Sequence, residues 1–321
     1  MSKIKNSDIT RFIQAVSDVK IQGATAVAEA TIDALVQYLA VAQIPVRATD
    51  WQKFARLADE LAQIRPTEPL ARNLSRWLIY ELKKNFKTQR KPLDNWFSQV
   101  NKLGQELKYL LKEADANLSE VGSKLVANNQ IIFTHCHSSL AESILIRARQ
   151  QHKKFKIYHT ETRPLFQGRI TSRHLKRAGI PAIMVADSAA AWLVSNHSGD
   201  EVKVSWVLLG ADSIARDGSV INKIGSFAIA LAAYDSGIPL YIASSLLKID
   251  ALGESKIELR SAAEIWPSAP PGINIVNYAF DRIPAKYIRG IICEFGIIKP
   301  NKVLALARQK YKSVFMSANK Y

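Results

Sequence analysis

The chain has 321 residues, which is enough for two or three domains with a full hydrophobic core. Hydrophobic residues make up 48% and charged residues 22%, a balance that excludes a disordered or collagen-like chain. The net charge of +16, from 44 basic and 28 acidic residues, favours anionic partners such as nucleic acid, acidic lipid or phosphorylated metabolites. A lysine-rich solvated surface is the alternative, because the charge is spread along the whole chain.

Two further features of the sequence indicate where in the cell the protein is expected. No apolar run reaches the roughly 18 residues that a membrane-spanning helix needs, and the polar start lacks the apolar stretch of a secretory signal. Only two cysteines occur, Cys136 and Cys293, too few for a disulfide framework or a structural zinc site. We therefore expect a cytoplasmic protein that has no membrane partner.

The first part of the chain carries apolar residues at helical spacing. This spacing predicts four helices, at residues 24–43, 51–64, 70–82 and 96–111. No strand-like alternation interrupts them. We therefore predict a helical N-terminal domain at residues 1–126.

After residue 126 the pattern changes to short apolar runs separated by helical segments. The predicted strands lie at 131–134, 155–159, 180–185, 204–209 and 240–243. The predicted helical segments end near 151, surround Leu175, and lie at 221–234 and 285–295. Strands that alternate with helices indicate a parallel sheet covered on both faces, so we predict a Rossmann-like α/β domain at residues 127–321. Ligands of such sheets bind beyond the carboxyl ends of the strands.

Cys136 directly follows the first predicted strand. Ser139 and Glu142 have the spacing of a capping box, so a helix is predicted to start there. A cysteine beside a helix N-terminus has a stabilised thiolate and is a candidate base or nucleophile, whereas a small buried core residue is the alternative. His135 and His137 could share a face, but no third ligand is apparent, so we predict no metal site.

Other candidate residues lie at further element ends. Asp212 follows a strand, among apolar neighbours that can raise a carboxyl pKa and make it a general acid; a turn aspartate is the alternative. Residues 222–225 are predicted to open a helix, whose amide, amine and free N–H groups suit a phosphate. Arg65, Arg163 and Lys248 are candidates for phosphate binding or for surface ion pairs.

Together, several stretches resemble one family in their order and spacing. That family contains the isomerases of ribose 1,5-bisphosphate and methylthioribose 1-phosphate and the regulatory subunits of eukaryotic initiation factor 2B. The matching stretches run from about residue 20 to the C-terminus: Gln22–Ala24, Arg65–Thr67, His135–Ser138, Thr160–Pro164, Gln167–Gly168, Gly210–Ile214, Asp217–Gly218, Ile221–Gly225, Asn277–Asp281 and Pro284. The Cys-His-Ser and Thr-Glu-Thr-Arg-Pro stretches are most similar to archaeal-type ribose-1,5-bisphosphate isomerases.

The resemblance implies an intramolecular oxidoreductase that needs no cofactor or metal. Its substrate would be a sugar 1-phosphate, with Cys136 as the base at C2 and Asp212 as the acid at the ring oxygen. The initiation-factor subunits lack this pair, so the chain resembles the enzymes more than the regulators. The residues that the resemblance assigns to substrate binding are Gln22, Gly23, Ala24, Arg65, Ser138, Arg163, Asn222, Lys223 and Lys248.

Two positions depart from the isomerase pattern. Gln22 replaces an arginine that reaches the substrate, and Ser244-Ser245 stands where Ala-Glu is usual. Two alternatives therefore stay open: a methylthioribose-1-phosphate isomerase, and a non-catalytic initiation factor 2B-like regulator that binds nucleic acid or a translation factor. The resemblance also implies a homodimer or homohexamer, with AMP as a candidate activator.

Overall fold

The computed structural model describes residues 23–41, 47–88, 95–195, 197, 202–253 and 255–318. The chain divides into two compact units. The first has its described residues within Met1–Glu113, Leu247–Ser255 and Leu304–Tyr321, and the second comprises Ala114–Leu246 and Lys256–Val303. The domain boundary predicted at residues 126 and 127 stays a prediction, and the change between the compact units falls inside one helix.

The first unit is built from helices. They are α1 (Ala24–Val41), α2 (Ala48–Ala62), α3 (Pro69–Thr88) and the first half of α4 (Trp96–Ser123). Helix α3 packs against α1 and α2, and its residues Leu70, Leu74 and Leu78 are buried at a spacing of four, which aligns them on one face. The prediction ended α4 at residue 111, whereas Ala114 and Leu118 continue its buried face.

The second unit is organised around a sheet of seven strands: β1 (Ile131–Thr134), β2 (Lys156–Thr160), β3 (Ala182–Val185), β4 (Trp206–Leu209), β7 (Leu240–Ala243), β11 (Gly290–Cys293) and β12 (Gly296–Ile298). Their order in the sheet is β12-β11-β7-β4-β1-β2-β3. All pairs in it are parallel except β11 with β12. The chain runs outward from β1 through β2 to β3, then returns to β4 on the other side of β1. This reversal defines a doubly wound α/β sheet and confirms the predicted fold class.

Helices and two small sheets complete this unit. The helices are α5 (Ser139–Gln150), α6 (Gly168–Arg177), α7 (Ala190–Val194) and α8 (Ser226–Asp235). Apolar residues of α5 and of the central strands share one buried core, which includes Leu140, Ile144, Ile132 and Leu208. The small sheets join β5 (Ser213–Ile214), β6 (Val220–Lys223) and β10 (Phe280–Ile283), and β8 (Leu259–Arg260) with β9 (Asn277–Tyr278).

Two of the predicted helices were wrong in part. Residues 220–223 form strand β6, and helix α8 begins only at Ser226, after Gly225 in a left-handed conformation (φ 102°). The segment 285–295 contains one short 3-10 turn and then strand β11, which is buried throughout. Short apolar runs of this kind have the same composition in a buried strand and in a buried helix, so periodicity does not separate them.

The chain ends in α9 (Val303–Lys310) and α10 (Lys312–Ala318), and α10 packs against α3 in the first unit. Among the helices that the structure describes, none combines the length and the apolar character that crossing a membrane requires.

Candidate active site

The switch point of the sheet lies between β1 and β4, which pair in parallel. Cys136 follows β1 and Asp212 follows β4, so both segments leave the same edge of the sheet side by side. The segments approach closely, because a Cβ atom added to Gly210 would lie 2.5 Å from Oγ of Ser138. Glycine at this position therefore allows the contact.

Cys136 has an unusual backbone. Its φ of 66° lies in the left-handed region, which costs a non-glycine residue about 1–2 kcal/mol. Its N–H donates to Oγ1 of Thr162 (3.0 Å), and Oγ1 of Thr171 lies 3.0 Å from its carbonyl oxygen and 2.6 Å from Oε1 of Glu142. The thiol lies 3.6 Å from Oε1 of Gln167 and donates to it. Threonine side chains thus contact both the N–H and the carbonyl of Cys136.

The protonation of Cys136 differs from the sequence-based expectation. Burial raises the pKa of the thiol to about 11, although the positive charge of Lys223 acts in the opposite direction. Asp212 and Asp187 raise the pKa further. The sequence predicted a stabilised thiolate at Cys136. In this structure Cys136 is instead a buried thiol, because the loss of solvation outweighs the effect of the nearby positive charge on its pKa.

The predicted capping box was also wrong. The N-cap of α5 is Ser138, whose hydroxyl accepts from the N–H of Ala141 (3.3 Å). Glu142 instead accepts from Nδ1 of His137 and Nδ1 of His174, at 2.7 Å each, through its two different oxygens. The carboxylate of Glu142 therefore bonds these two histidines rather than the backbone at the start of α5.

Asp212 is half-buried, and its backbone N–H donates to the carbonyl of Ile221 on β6 (2.9 Å). Buried apolar residues, Ala211 and Ile214, flank it in the sequence, as expected. The charge of its carboxyl group acts on the thiol of Cys136. The structure therefore brings the two predicted catalytic side chains into one electrostatic environment.

Asn222 and Lys223 lie on β6 and are buried. Nδ2 of Asn222 donates to Oγ of Ser226 (2.8 Å), and Nζ of Lys223 lies 4.9 Å from the ring centre of Phe280. The charge of Lys223 lowers the pKa values of both Cys136 and His135, so its ammonium group is directed toward the site. Both residues therefore belong to the same site as Cys136.

The phosphate site predicted at the start of α8 needs a correction. The N–H groups of Gly225 and Phe227 both donate to Oδ2 of Asp281, at 2.8 and 3.0 Å. Burial raises the pKa of Asp281 to about 6, against the effect of these two donors. An internal carboxylate thus occupies the position that the sequence suggested for a phosphate.

Arg163 is exposed at the edge of this unit. Its guanidinium stacks over the ring of Phe166 at 5.0 Å and donates to the carbonyl of Ile265 (3.3 Å). A groove of about 340 Å³ lies beside it, lined also by Asn277 and Tyr278. The guanidinium remains accessible, as a role in anion binding requires.

The remaining predicted residues belong to the first unit. Gly23 has a φ of 88° and precedes Ala24, the first residue of α1. Arg65 is largely buried and donates to Oε1 of Glu68 (2.6 Å). Lys248 is buried in a short 3-10 turn. Gln22 lies outside the described residues.

Sequence reasoning missed two polar groups. Nδ2 of the buried Asn73 donates to the carbonyls of Leu247 and Ile249, at 2.8 Å each, and so fixes the backbone on both sides of Lys248. No short motif indicates this contact, because 174 residues separate Asn73 from Leu247.

The second group consists of His137, Glu142 and His174, whose potential metal-ligand atoms lie within 4.8 Å of one another. Each imidazole already bonds its own oxygen of Glu142, and Oγ1 of Thr171 lies 2.6 Å from Oε1. Burial opposes ionisation of Glu142, but these partners outweigh it and lower the pKa of the carboxyl group. The group is satisfied by its own hydrogen bonds, and the predicted lack of a metal site stays a prediction.

A doubly wound α/β sheet with polar side chains at its switch point is typical of proteins that bind small ligands. The comparisons with known proteins narrow this class. The chain belongs to the initiation factor 2 subunit family, whose model matches residues 20–300. The family predicted from the sequence is therefore confirmed.

Relatives with assigned activities align over nearly the whole chain. The ribose 1,5-bisphosphate isomerase of Pyrococcus furiosus is 30% identical over 317 residues, covering 96% of this chain and 95% of its own length. The methylthioribose-1-phosphate isomerase of Pelotomaculum thermopropionicum is 30% identical, covering 93% of this chain and 85% of its own. The prediction of an enzyme agrees with both names.

A solved structure supports the fold. The translation initiation factor eIF-2B of Pyrococcus horikoshii superposes with a TM-score of 0.77 at 24% identity, covering 92% of this chain and 98% of that one. The chain therefore shares its fold, a helical N-terminal region followed by a mostly parallel sheet, with a protein named as an initiation factor.

Proposed function

We propose that this protein is a sugar-phosphate isomerase that converts ribose 1,5-bisphosphate to ribulose 1,5-bisphosphate. The observation that carries the proposal is the position of Cys136 and Asp212 at the ends of the two strands that flank the switch point. The relatives named as ribose 1,5-bisphosphate isomerases support this substrate.

The C1 phosphate of the substrate dictates the chemistry. It blocks ring opening at the anomeric hydroxyl, so the ring oxygen has to leave C1 while a proton leaves C2. In the proposed first step, the Cys136 thiolate removes the C2 proton and the electron pair forms the C1–C2 double bond. The bond from C1 to the ring oxygen breaks, and Asp212 gives its proton to that oxygen.

The proposed second step returns both groups to their starting states. The enol hydroxyl at C2 passes its proton to the Asp212 carboxylate and becomes the ketone. The thiol of Cys136 delivers its proton to C1, which becomes the CH₂ group that carries the phosphate. No oxidant, reductant or cofactor enters this balance, since the two electrons move within the sugar.

The raised pKa of Cys136 adds a condition to this mechanism. The reactive form combines a thiolate with a protonated Asp212, whereas burial keeps the thiol protonated below about pH 11. Lys223 is the cation whose charge favours the thiolate. We therefore assign Lys223 to the generation of the base, in addition to the substrate contact inferred for it from the family.

The remaining assignments stay proposals that rest on the family resemblance. Gly23, Ala24, Arg65, Ser138, Arg163, Asn222 and Lys248, with Gln22, would bind the phosphates and hydroxyls. We also propose a homo-oligomer, activation by AMP and a cytoplasmic location, where a reducing environment keeps the thiol free.

A second candidate is a methylthioribose-1-phosphate isomerase, which relatives with that name favour. The two substrates differ at C5, where a thioether replaces a phosphate. The guanidinium of Arg163 offers a cation for a second phosphate, which favours the bisphosphate, whereas Ile224, Ile265 and Val276 in the neighbouring groove offer an apolar surface that suits a thioether.

The deciding experiment offers both substrates to the purified protein, with and without AMP, beside the variant Asp212→Asn. Turnover of ribose 1,5-bisphosphate that Asp212→Asn abolishes is the expected result. Turnover of methylthioribose 1-phosphate alone would select the second candidate. A folded protein that converts neither substrate would overturn the enzymatic proposal and favour the regulatory alternative.

A further inference from the structure

Three side chains, those of Thr162, Thr160 and His135, connect the N–H of Cys136 to the carbonyl of Ile224 through four consecutive hydrogen bonds. The N–H of Cys136 lies 3.0 Å from Oγ1 of Thr162, which lies 3.0 Å from Oγ1 of Thr160. Oγ1 of Thr160 is 2.6 Å from Nδ1 of His135, whose Nε2 is 2.8 Å from the carbonyl oxygen of Ile224. His135, Thr160 and Thr162 are almost completely buried.

The proton positions in this series follow from simple valence rules. The carbonyl of Ile224 can only accept, so Nε2 of His135 carries a proton and donates it. Burial lowers the pKa of His135 to about 4, so the imidazole is neutral at pH 7 and its Nδ1 accepts. The single hydroxyl proton of Thr160 therefore points to Nδ1 of His135.

The same rule fixes the rest of the series. Because the proton of Thr160 is used, its oxygen accepts from the hydroxyl of Thr162. The proton of Thr162 is then used as well, and its oxygen accepts from the N–H of Cys136. Every bond runs in one direction, from Cys136 to Ile224, and none can be reversed without breaking its neighbour.

This series starts at a strained residue. Cys136 and Thr162 both have a left-handed backbone, with φ values of 66° and 63°. The carboxylate of Asp187 accepts from the N–H groups of Thr162 (2.8 Å) and Arg163 (2.7 Å), and so fixes the backbone around Thr162. Strained conformations persist only where surrounding contacts determine them.

We propose that His135, Thr160 and Thr162 are positioning residues, which form a one-directional hydrogen-bond chain that holds Cys136 in its left-handed conformation and thereby aims its thiol. This inference rests on the proposed catalytic role of Cys136. None of the three side chains is required to touch the substrate, since they act through the backbone N–H of Cys136.

A competing explanation is that these residues only stabilise the core. The chain offers a matched control, because Ser172 lies 2.9 Å from Nε2 of His159, another buried histidine. The bonds of His159 end at Ser172 and at the carbonyl of Thr160, and do not reach Cys136. Ser172→Ala therefore removes a hydroxyl from a histidine pair that lies outside the chain.

The experiment compares Thr160→Val, Thr160→Ser and Ser172→Ala with the wild type. Alkylation of Cys136 and Cys293 by iodoacetamide is followed from pH 8 to 10 by peptide mass spectrometry, and kcat and KM are measured in parallel. In Thr160→Val, we expect Cys136 alkylation to accelerate about tenfold as the thiol becomes accessible, while kcat falls about tenfold to hundredfold at an unchanged KM. Thr160→Ser restores both values, and Ser172→Ala changes neither.

Alkylation keeps this test separate from the proposed function, because it needs no turnover. Equal acceleration at Cys136 and Cys293 would indicate general opening and overturn the inference. So would equal behaviour of Thr160→Val and Ser172→Ala. Lys223, Asp212 and Asp187, the charged groups that act on Cys136, are unchanged in all three variants.

A measurement on the wild type covers the case in which Thr160→Val fails to fold. Nitrogen NMR of ¹⁵N-histidine-labelled protein reports the protonation of each imidazole nitrogen. We expect His135 to be neutral at pH 7, with the proton on Nε2. A proton on Nδ1, or a charged ring at that pH, would reverse the series and overturn the inference.

Discussion

Cys136 and Cys293 occupy comparable places in the sheet. The former follows β1 and the latter ends β11, both at the carboxyl ends of parallel strands. Both thiols are buried, and burial raises the pKa of Cys136 to about 11 and that of Cys293 to about 12. Burial and pKa alone therefore do not distinguish a candidate catalytic cysteine from a structural one.

The difference lies in what surrounds each thiol. Cys293 pairs with Gly296 in a tight antiparallel connection to β12, and its thiol donates to the carbonyl of Gly296 (3.2 Å). Its charged neighbour is Glu294, which raises the pKa, whereas Lys223 acts to lower that of Cys136. Position at the switch point, backbone conformation and the influence of a positive charge thus set Cys136 apart from Cys293.

Replacing each cysteine by serine and measuring kcat tests this distinction directly. Cys136→Ser removes the proposed base, and we expect the kcat for ribose 1,5-bisphosphate to fall by about 10²–10⁴. Cys293→Ser is the matched control, since it replaces a buried thiol of the same sheet, and its kcat should stay within about threefold of the wild type. Circular dichroism checks that both variants are folded. Wild-type turnover in Cys136→Ser would remove the thiol from the mechanism.

The two cysteines also show which parts of the sheet could be predicted from the sequence alone. Strands β1 and β7 were predicted with their observed ends, because short apolar runs between turn signals define them. Strand β11 was mistaken for part of a helix, so Cys293 could not be placed at a strand end. The pairing of β1 with β4, which brings Cys136 and Asp212 to one edge, follows from the order of the strands rather than from any local pattern.

Within the candidate site, the family motifs pointed to the right segments but not to their contacts. The hydrogen bonds around the left-handed Cys136 join the segment after β1 to the end of β2, where Thr160 and Thr162 lie. The carboxylate of Asp281 at the start of α8 comes from a strand 54 residues away from Phe227. Such long-range polar contacts leave no periodic trace in the sequence, and the burial that raises the pKa of Cys136 is likewise a property of the folded chain.

The stability of the protein should depend on pH through a buried histidine next to Cys136. The end of β1 carries the buried His135, whose pKa is lowered from 6.5 to about 4. Between these values the unfolded chain binds a proton that the folded protein excludes, so this residue's contribution to the unfolding free energy is present above pH 6.5 and is lost as the pH falls. We expect this contribution to decrease by about 2 kcal/mol from pH 7.5 to pH 5.0.

Urea unfolding at pH 7.5 and pH 5.0 measures this change in the unfolding free energy. The wild type is compared with His135→Gln and His152→Gln. His135→Gln lowers stability at pH 7.5 but reduces the loss at pH 5.0, whereas the exposed His152 serves as the control. Asp281 has a raised pKa and therefore acts with the opposite sign, and it is unchanged in both variants, as are Asp187 and Lys223 beside His135. An identical loss in His135→Gln and in the wild type would contradict the assignment.

The positive charge of Lys223 acts on Cys136, and its removal should have a smaller effect than the loss of the thiol. Lys223 favours the Cys136 thiolate, whereas the pKa of Cys293 responds to burial, to Glu294 and to backbone donors. In Lys223→Gln, we expect alkylation of Cys136 at pH 9 to slow roughly threefold, while the rate at Cys293 stays unchanged. Lys223→Arg keeps the charge and should restore the rate, so a slow Lys223→Arg would assign the effect to the shape of the lysine rather than to its charge. A threefold change is small beside the loss expected for Cys136→Ser, because Lys223 opposes a much larger effect of burial and does not replace it.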